Sequence, residues 1–236
     1  MLLLFAAPAF AGAPLVPPTA NASPDLVGSG RWQWNHDKGT PGTSIGYSSY
    51  PVGNPSLDGR SREFSVSYWR YGGEIYHVSF GNDRYATHFV YDTYVYLVDP
   101  SQVQNLEMDM NQVTSDGKTI IFGTQCSSIS KTWDYAYETS NHPHWHATNV
   151  PCNPRTWAAN KWHHVQIGMH RSGDVVTHDW VSLDGAVHYF QKATAPAGLS
   201  LHWAEGDLLL NVQFDGENSG NGSIKAYLDK LIIYRW

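Results

Sequence analysis

Side-chain polarity in this chain alternates with a period of two over most of its apolar segments, and no long stretch shows a 3.6-residue apolar period. That pattern restricts the chain to β-structure. Residues Glu63 to Tyr68, Ile75 to Phe80 and Leu106 to Val113 alternate cleanly, and Thr87 to Val98 is β-branched and aromatic throughout. Thr119 to Gln125 follows the turn Ser115-Asp-Gly-Lys118, a hairpin signal. Further strands are read at His163 to His170, Thr177 to Leu183, Ala186 to Phe190, Asp207 to Phe214 and Lys225 to Trp236, with a second turn at Asp184-Gly185. Regular strands of alternating polarity, separated by Gly, Asn and Asp, predict an all-β antiparallel sandwich with one wet face per sheet. Neither an internal repeat nor a linker divides the chain, so residues 28–236 are read as one domain.

The N-terminal stretch from Leu2 to Ala11 is apolar and rich in small residues, and Ala9-Phe10-Ala11 resembles a signal-peptidase site. Residues 1–23 are therefore expected to be an export signal and leader, which places the protein outside the cell or in a periplasm. Ten apolar residues are too few to span a membrane. In an exported chain the two cysteines, Cys126 and Cys152, are expected to form a disulfide around a segment rich in Trp, Tyr and His. The net charge of −6 and the absence of a basic run exclude a nucleic-acid partner.

On a strand, Glu107, Asp109 and Asn111 share one face while Met108 and Met110 take the other. Acidic and amide groups are costly to bury unpaired, so this face is expected to line a groove. Ten Trp and fourteen Tyr supply flat surfaces for stacking on sugar rings. Trp133, Tyr135 and Tyr137 alternate and so share a face, and with Trp145, His144 and Gln125 they are the expected substrate-binding residues. His142-Pro-His-Trp-His146 has the density of a metal site but no supporting Cys or carboxylate; hydrogen bonding to sugar hydroxyls is the competing reading.

Four segments in order carry a family likeness: Glu107-Met-Asp-Met-Asn111; Trp162 to Ile167 with Val181 to Gly185; Leu208 to Gly216; and Tyr227 to Tyr234. They resemble the concanavalin A-like lectin/glucanase superfamily, nearest to the laminarinase and lichenase type of glycoside hydrolase family 16. The resemblance implies a jelly-roll sandwich, with Glu107 as nucleophile and Asp109 tuning it. It puts Asn111 where the family has its acid/base, and an amide delivers no proton at neutral pH. The resemblance further implies a structural Ca²⁺ with Asp229 among its ligands; no other cofactor is required.

Retaining hydrolysis needs two carboxyls about 5–5.5 Å apart. Glu74, Glu138, Glu205 and Glu217 are candidates for the missing acid, and no spacing selects among them. A lyase would instead use Asn111, Gln112 or Gln125 to neutralise a uronate, with His88, Tyr91 or Tyr94 moving protons, but an acidic groove repels a polyuronate. The expectation is a monomeric, lectin-like, polysaccharide-binding sandwich, with a β-glucanase-type hydrolase as the first alternative and a laminin G-like adhesion domain as the second.

Overall fold

The computed structural model describes residues 16–139 and 142–236. The expected export signal therefore lies outside the described residues up to residue 15. In chain order the strands are β1 (Asn21–Ala22), β2 (Gln33–His36), β3 (Thr43–Val52), β4 (Ser61–Trp69) and β5 (Gly73–Asn82). Next come β6 (His88–Leu97), β7 (Val103–Val113), β8 (Thr119–Ser127), β9 (Thr132–Thr139), β10 (His142–Pro151) and β11 (Trp162–Ser172). The last are β12 (Val175–Leu183), β13 (Ala186–Tyr189), β14 (Thr194–Pro196), β15 (Gly198–Leu199), β16 (Asp207–Gly216) and β17 (Asn221–Arg235). No helix among the described residues is long and apolar enough to cross a membrane.

The strands form two antiparallel sheets packed face to face, a jelly-roll sandwich. A nine-stranded sheet runs β13-β12-β11-β6-β17-β4-β3, with β1 and β14 attached to β17 and β12. An eight-stranded sheet runs β10-β9-β8-β7-β16-β5-β2, with β15 attached to β8. Period-two alternation puts Leu106, Met108 and Met110 of β7 and Leu208, Leu210, Val212 and Phe214 of β16 into the layer between the sheets. Phe64, Tyr76 and Phe214 meet edge-on or tilted there, as do Phe89 and Phe122 across the two sheets. The β12–β13 hairpin turns at Asp184 and Gly185, both with positive φ (52° and 84°), the conformation an Asp-Gly pair adopts most readily.

The sandwich takes in residues ahead of the expected start at 28. β1 pairs with β17, and Leu26 and Val27 are buried in the core. Arg62, on the inner side of β4, holds this segment. Its guanidinium donates to Val27 O and Ser29 O and lies over the rings of Trp32 and Tyr50. Burial pushes it down to about 10.

The segment between the cysteines contains the hairpin β9–β10. Pro143 falls within β10, the outermost strand of its sheet, where a missing backbone N–H costs least. The Cys126–Cys152 disulfide ties the end of β10 to β8, with both cysteines buried. The paired cysteines are 26 positions apart, so replacing both with serine is expected to cost about 3 kcal/mol, read as a lower urea midpoint.

Candidate functional site

The outer face of the eight-stranded sheet carries a continuous band of hydrogen-bonding side chains. Glu107 lies between Gln213 of β16 and Gln125 of β8, and Gln125 is followed by Asp134 of β9. One step along the strands, Asp109 lies between Asn211, itself beside His77, and Gly123. A further step brings Asn111 between Leu209 and Ile121. Gly123 is needed here: a Cβ on it would sit 2.7 Å from the Ala136 Cβ and 3.2 Å from Asp109 Oδ1. Gly123 and Ala136 thus pack closely between Asp109 and Trp145, which is opposite Ala136 on β10.

At the other end of the band is a cleft of about 480 Å³. Its floor is Asn35, Ile75, His77, Leu209 and Asn211, and Trp203 and Ala204 of the segment before β16 wall it. Trp203 and Trp145 keep 39% and 37% of their surface exposed, so each can still stack a ligand ring. From the cleft over β5 to Trp145 on β10 the band crosses six strands, about 24 Å at 4.8 Å per spacing.

Within the band lies a carboxyl cluster. The Gln213 side-chain amide nitrogen lies 3.0 Å from Asp37 Oδ2, 3.1 Å from Glu107 Oε1 and 2.9 Å from Asp215 Oδ1. An amide has two hydrogens for these three oxygens, so one N–H is shared between two of them. Burial, then the charges of Asp215, Asp109 and Asp37, push Glu107 well above the usual carboxylate range. Burial raises Asp109 to about 7, against the pull of the Thr124 N–H, and raises Asp215 to about 6. Burial also lowers His77, favouring its neutral form.

The expected site residues divide between two faces. Glu107, Asp109, Asn111, Gln125 and Trp145 share the outer face. Trp133, Tyr135 and Tyr137 do not, which corrects the expectation that they line the groove with the carboxylates. Trp133 is opposite Cys126 and Tyr135 opposite Thr124, and these neighbours point toward the other sheet. Trp133 and Tyr135 are buried, and His144 and His146 lie on the same inner side as Tyr137 and Tyr135. The His142 side chain lies outside the described residues, and no cluster of three metal-ligating side chains forms around His144 and His146 among the described residues.

The lyase set is dispersed as well. Tyr91 is fully buried, while His88 and Tyr94 lie on the nine-stranded sheet, stacked on Trp236 and His164. Gln112 donates to Asp83 O and Ala86 O. Among the candidate acids, Glu205 pairs with Arg84 and Glu217 with Arg155, and Glu74 is buried against Ser44. Sequence reasoning missed the carboxyls that do approach Glu107, namely Asp37 and Asp215. Asp215 continues the outward series Asn211, Gln213; Asp37 sits in an irregular turn and gives no such signal.

A second cluster lies on the nine-stranded sheet. One ligand atom each from Asp25, Asp58 and Asp229 falls within 4.8 Å of the others. Asp229 is completely buried; its Oδ2 accepts from Ser56 Oγ and Leu57 N, while Oδ1 has no partner. A bulge between Asp229 and Ile232, with Lys230 at a φ of 52°, interrupts the β17–β6 ladder at this point. An orphaned, buried carboxylate oxygen beside two more carboxylates fits the demand of a hard cation for oxygen ligands.

No family model matches the sequence, and no curated protein matches it either. Several solved structures are similar to it. One, described as showing the structural basis for promiscuous specificity of carbohydrate-binding modules from the β-sandwich superfamily, is 7% identical with a TM-score of 0.47. That match covers 90% of this chain and spans 60% of the other. A family 11 carbohydrate-binding module from Clostridium thermocellum, in complex with a β-1,3-1,4-mixed-linked tetrasaccharide, is 10% identical over 91% of this chain and 94% of that one, with a TM-score of 0.42. A Bacillus licheniformis β-glucanase is 11% identical over 91% and 97%, with a TM-score of 0.41. At these identities the likeness concerns the β-sandwich fold alone.

Proposed function

We propose that this protein is a secreted, lectin-like polysaccharide-binding sandwich that holds an extended glycan across the outer face of its eight-stranded sheet. The observation that carries the reading is the band of Asn, Gln, His and carboxyl side chains running from the Trp203 cleft to Trp145. Polar floors orient sugar hydroxyls, and indole faces take the apolar side of a pyranose ring. The disulfide suits an exported protein.

Binding without cleavage is favoured by the state of Glu107. A nucleophilic carboxylate must be ionised, and burial, then the charges of three neighbouring acids, push this one well above the usual carboxylate range. One observation favours the hydrolase reading instead: Asp37 and Asp215 share an amide nitrogen with Glu107, which keeps each within about 6 Å of it.

A polysaccharide panel scored for pull-down and for reducing ends separates these readings. Binding without release is expected, and Trp203→Ala is expected to weaken it about tenfold. Release that Glu107→Gln abolishes establishes the hydrolase, and failure of every glycan to bind sinks both. The Asp25, Asp58 and Asp229 cluster is read as a structural calcium site, with these side chains as ligands.

A further inference from the structure

The two sheets differ sharply in charge. None of the strands of the eight-stranded sheet contains a lysine or arginine; all fifteen of the chain's cations lie on the nine-stranded sheet or in connecting segments. The same strands present Glu107, Asp109, Asp134 and Asp215 outward, and Asp37 closes over Gln213 from the turn after β2. Without a cation in the sheet to answer them, the acids around Glu107 repel one another.

The face also has hydrogen-bond acceptors without donors. Gln125 Oε1 and Asn111 Oδ1 are buried and unpartnered, on residues only 4% and 2% exposed. Both belong to the outward rows that contain Glu107 and Asp109. A buried acceptor left without a donor is costly, so the ligand that suits this floor brings N–H or O–H donors together with positive charge. A neutral glucan supplies donors only. A polyuronate adds negative charge to a negative face.

Resting on the reading of this face as a polysaccharide site, we infer that its ligand class is an amino-sugar polymer bearing free, protonated amines. The ammonium group offers three donors and the charge that the sheet itself lacks. Trp203 and Trp145 stack the rings that carry the amines, so the face reads amine and ring together.

Three β-1,4-linked hexamers test this, of glucosamine, N-acetylglucosamine and glucose, which share a backbone and differ in charge. Titration at about pH 6.5 in low salt, where a bound ammonium favours the ionised form of the raised acids it meets, is expected to give the glucosamine hexamer an affinity at least about tenfold above the glucose hexamer. That advantage is expected to shrink several-fold between about 50 and 200 mM salt, as screening shortens the reach of the acids. Asp109→Asn combined with Asp134→Asn is expected to bring the ratio below about threefold. A glucose hexamer that binds as tightly as the glucosamine hexamer overturns the inference while leaving the polysaccharide reading intact. Hexalysine binding as tightly as the glucosamine hexamer also overturns it, because the face then reads charge without rings. If no hexamer binds, the polysaccharide reading falls and the inference with it.

Discussion

At fixed calcium, the protein is expected to grow more stable as the pH falls from 8 to 5, the reverse of what paired surface carboxylates produce. In an unfolded chain Asp and Glu titrate near 4. In the folded chain burial holds Asp215 near 6, Asp109 near 7 and Glu107 well above its ordinary range. Between these limits the folded state binds protons that the unfolded state has released, so stability falls as pH rises. The contribution is fully present below about pH 4 and is lost as pH climbs through 6 and 7. Each unit of separation is worth about 1.4 kcal/mol, so the cluster as a whole shifts stability by several kcal/mol across this window. Buried His178, lowered to about 4, and His77, also lowered, oppose the trend below about pH 6.5, so the rise is steepest between about pH 8 and 6.5. Asp83 and Glu63, held low by their hydrogen bonds, oppose it only below the ordinary carboxylate values.

Urea midpoints at pH 5 and pH 8 measure the effect directly. Asp109→Asn keeps an acceptor for the Thr124 N–H and removes the group that ionises. It is expected to raise the midpoint at pH 8, to leave it nearly unchanged at pH 5, and so to flatten the profile. Glu107→Gln is expected to act in the same direction. A wild-type profile that is flat or rises with pH means that the cluster is hydrated and ionised in solution.

Much of this arrangement is legible in the sequence, because a period of two assigns faces without knowledge of the fold. The alternation of Glu107, Asp109 and Asn111 with Met108 and Met110 is reproduced as a division between two faces, although both rows are buried, and both Asp-Gly turns fall where they are read. What alternation does not say is which of two plausible faces points outward. On β9 the row of Trp133, Tyr135 and Tyr137 competes with Asp134, Ala136 and Glu138. The choice is made by register against β8, where Cys126 and Thr124 already face the core. Trp203 escapes notice because it lies in a segment with no period at all, and Asp37 because only the packing of a turn brings it to Gln213. Residues that act through tertiary closure leave no local pattern to read.

Calcium removal is expected to have a comparable effect at the opposite sheet. Asp229 has a buried oxygen with no donor, and Asp25 and Asp58 add negative charge within 4.8 Å. Burying a carboxylate uncompensated is among the larger penalties available to a fold. A calcium ion takes oxygen ligands at 2.3–2.6 Å, which suits carboxylate oxygens spaced this way. The three acids come from the N-terminal segment, the connection between β3 and β4, and β17, so one ion joins three parts of the chain distant in sequence. By linkage, calcium at about a hundred times its dissociation constant stabilises by about 2.7 kcal/mol, and at a thousand times by about 4. Thermal unfolding in a chelator should therefore shift down by many degrees and recover when calcium is restored. Asp58→Asn, at an exposed position, is expected to keep the fold and weaken the calcium response, while Asp229→Asn removes the response and part of the penalty with it. A melting temperature indifferent to chelator and to added calcium would show that the three carboxylates are accommodated by protonation rather than by a metal ion.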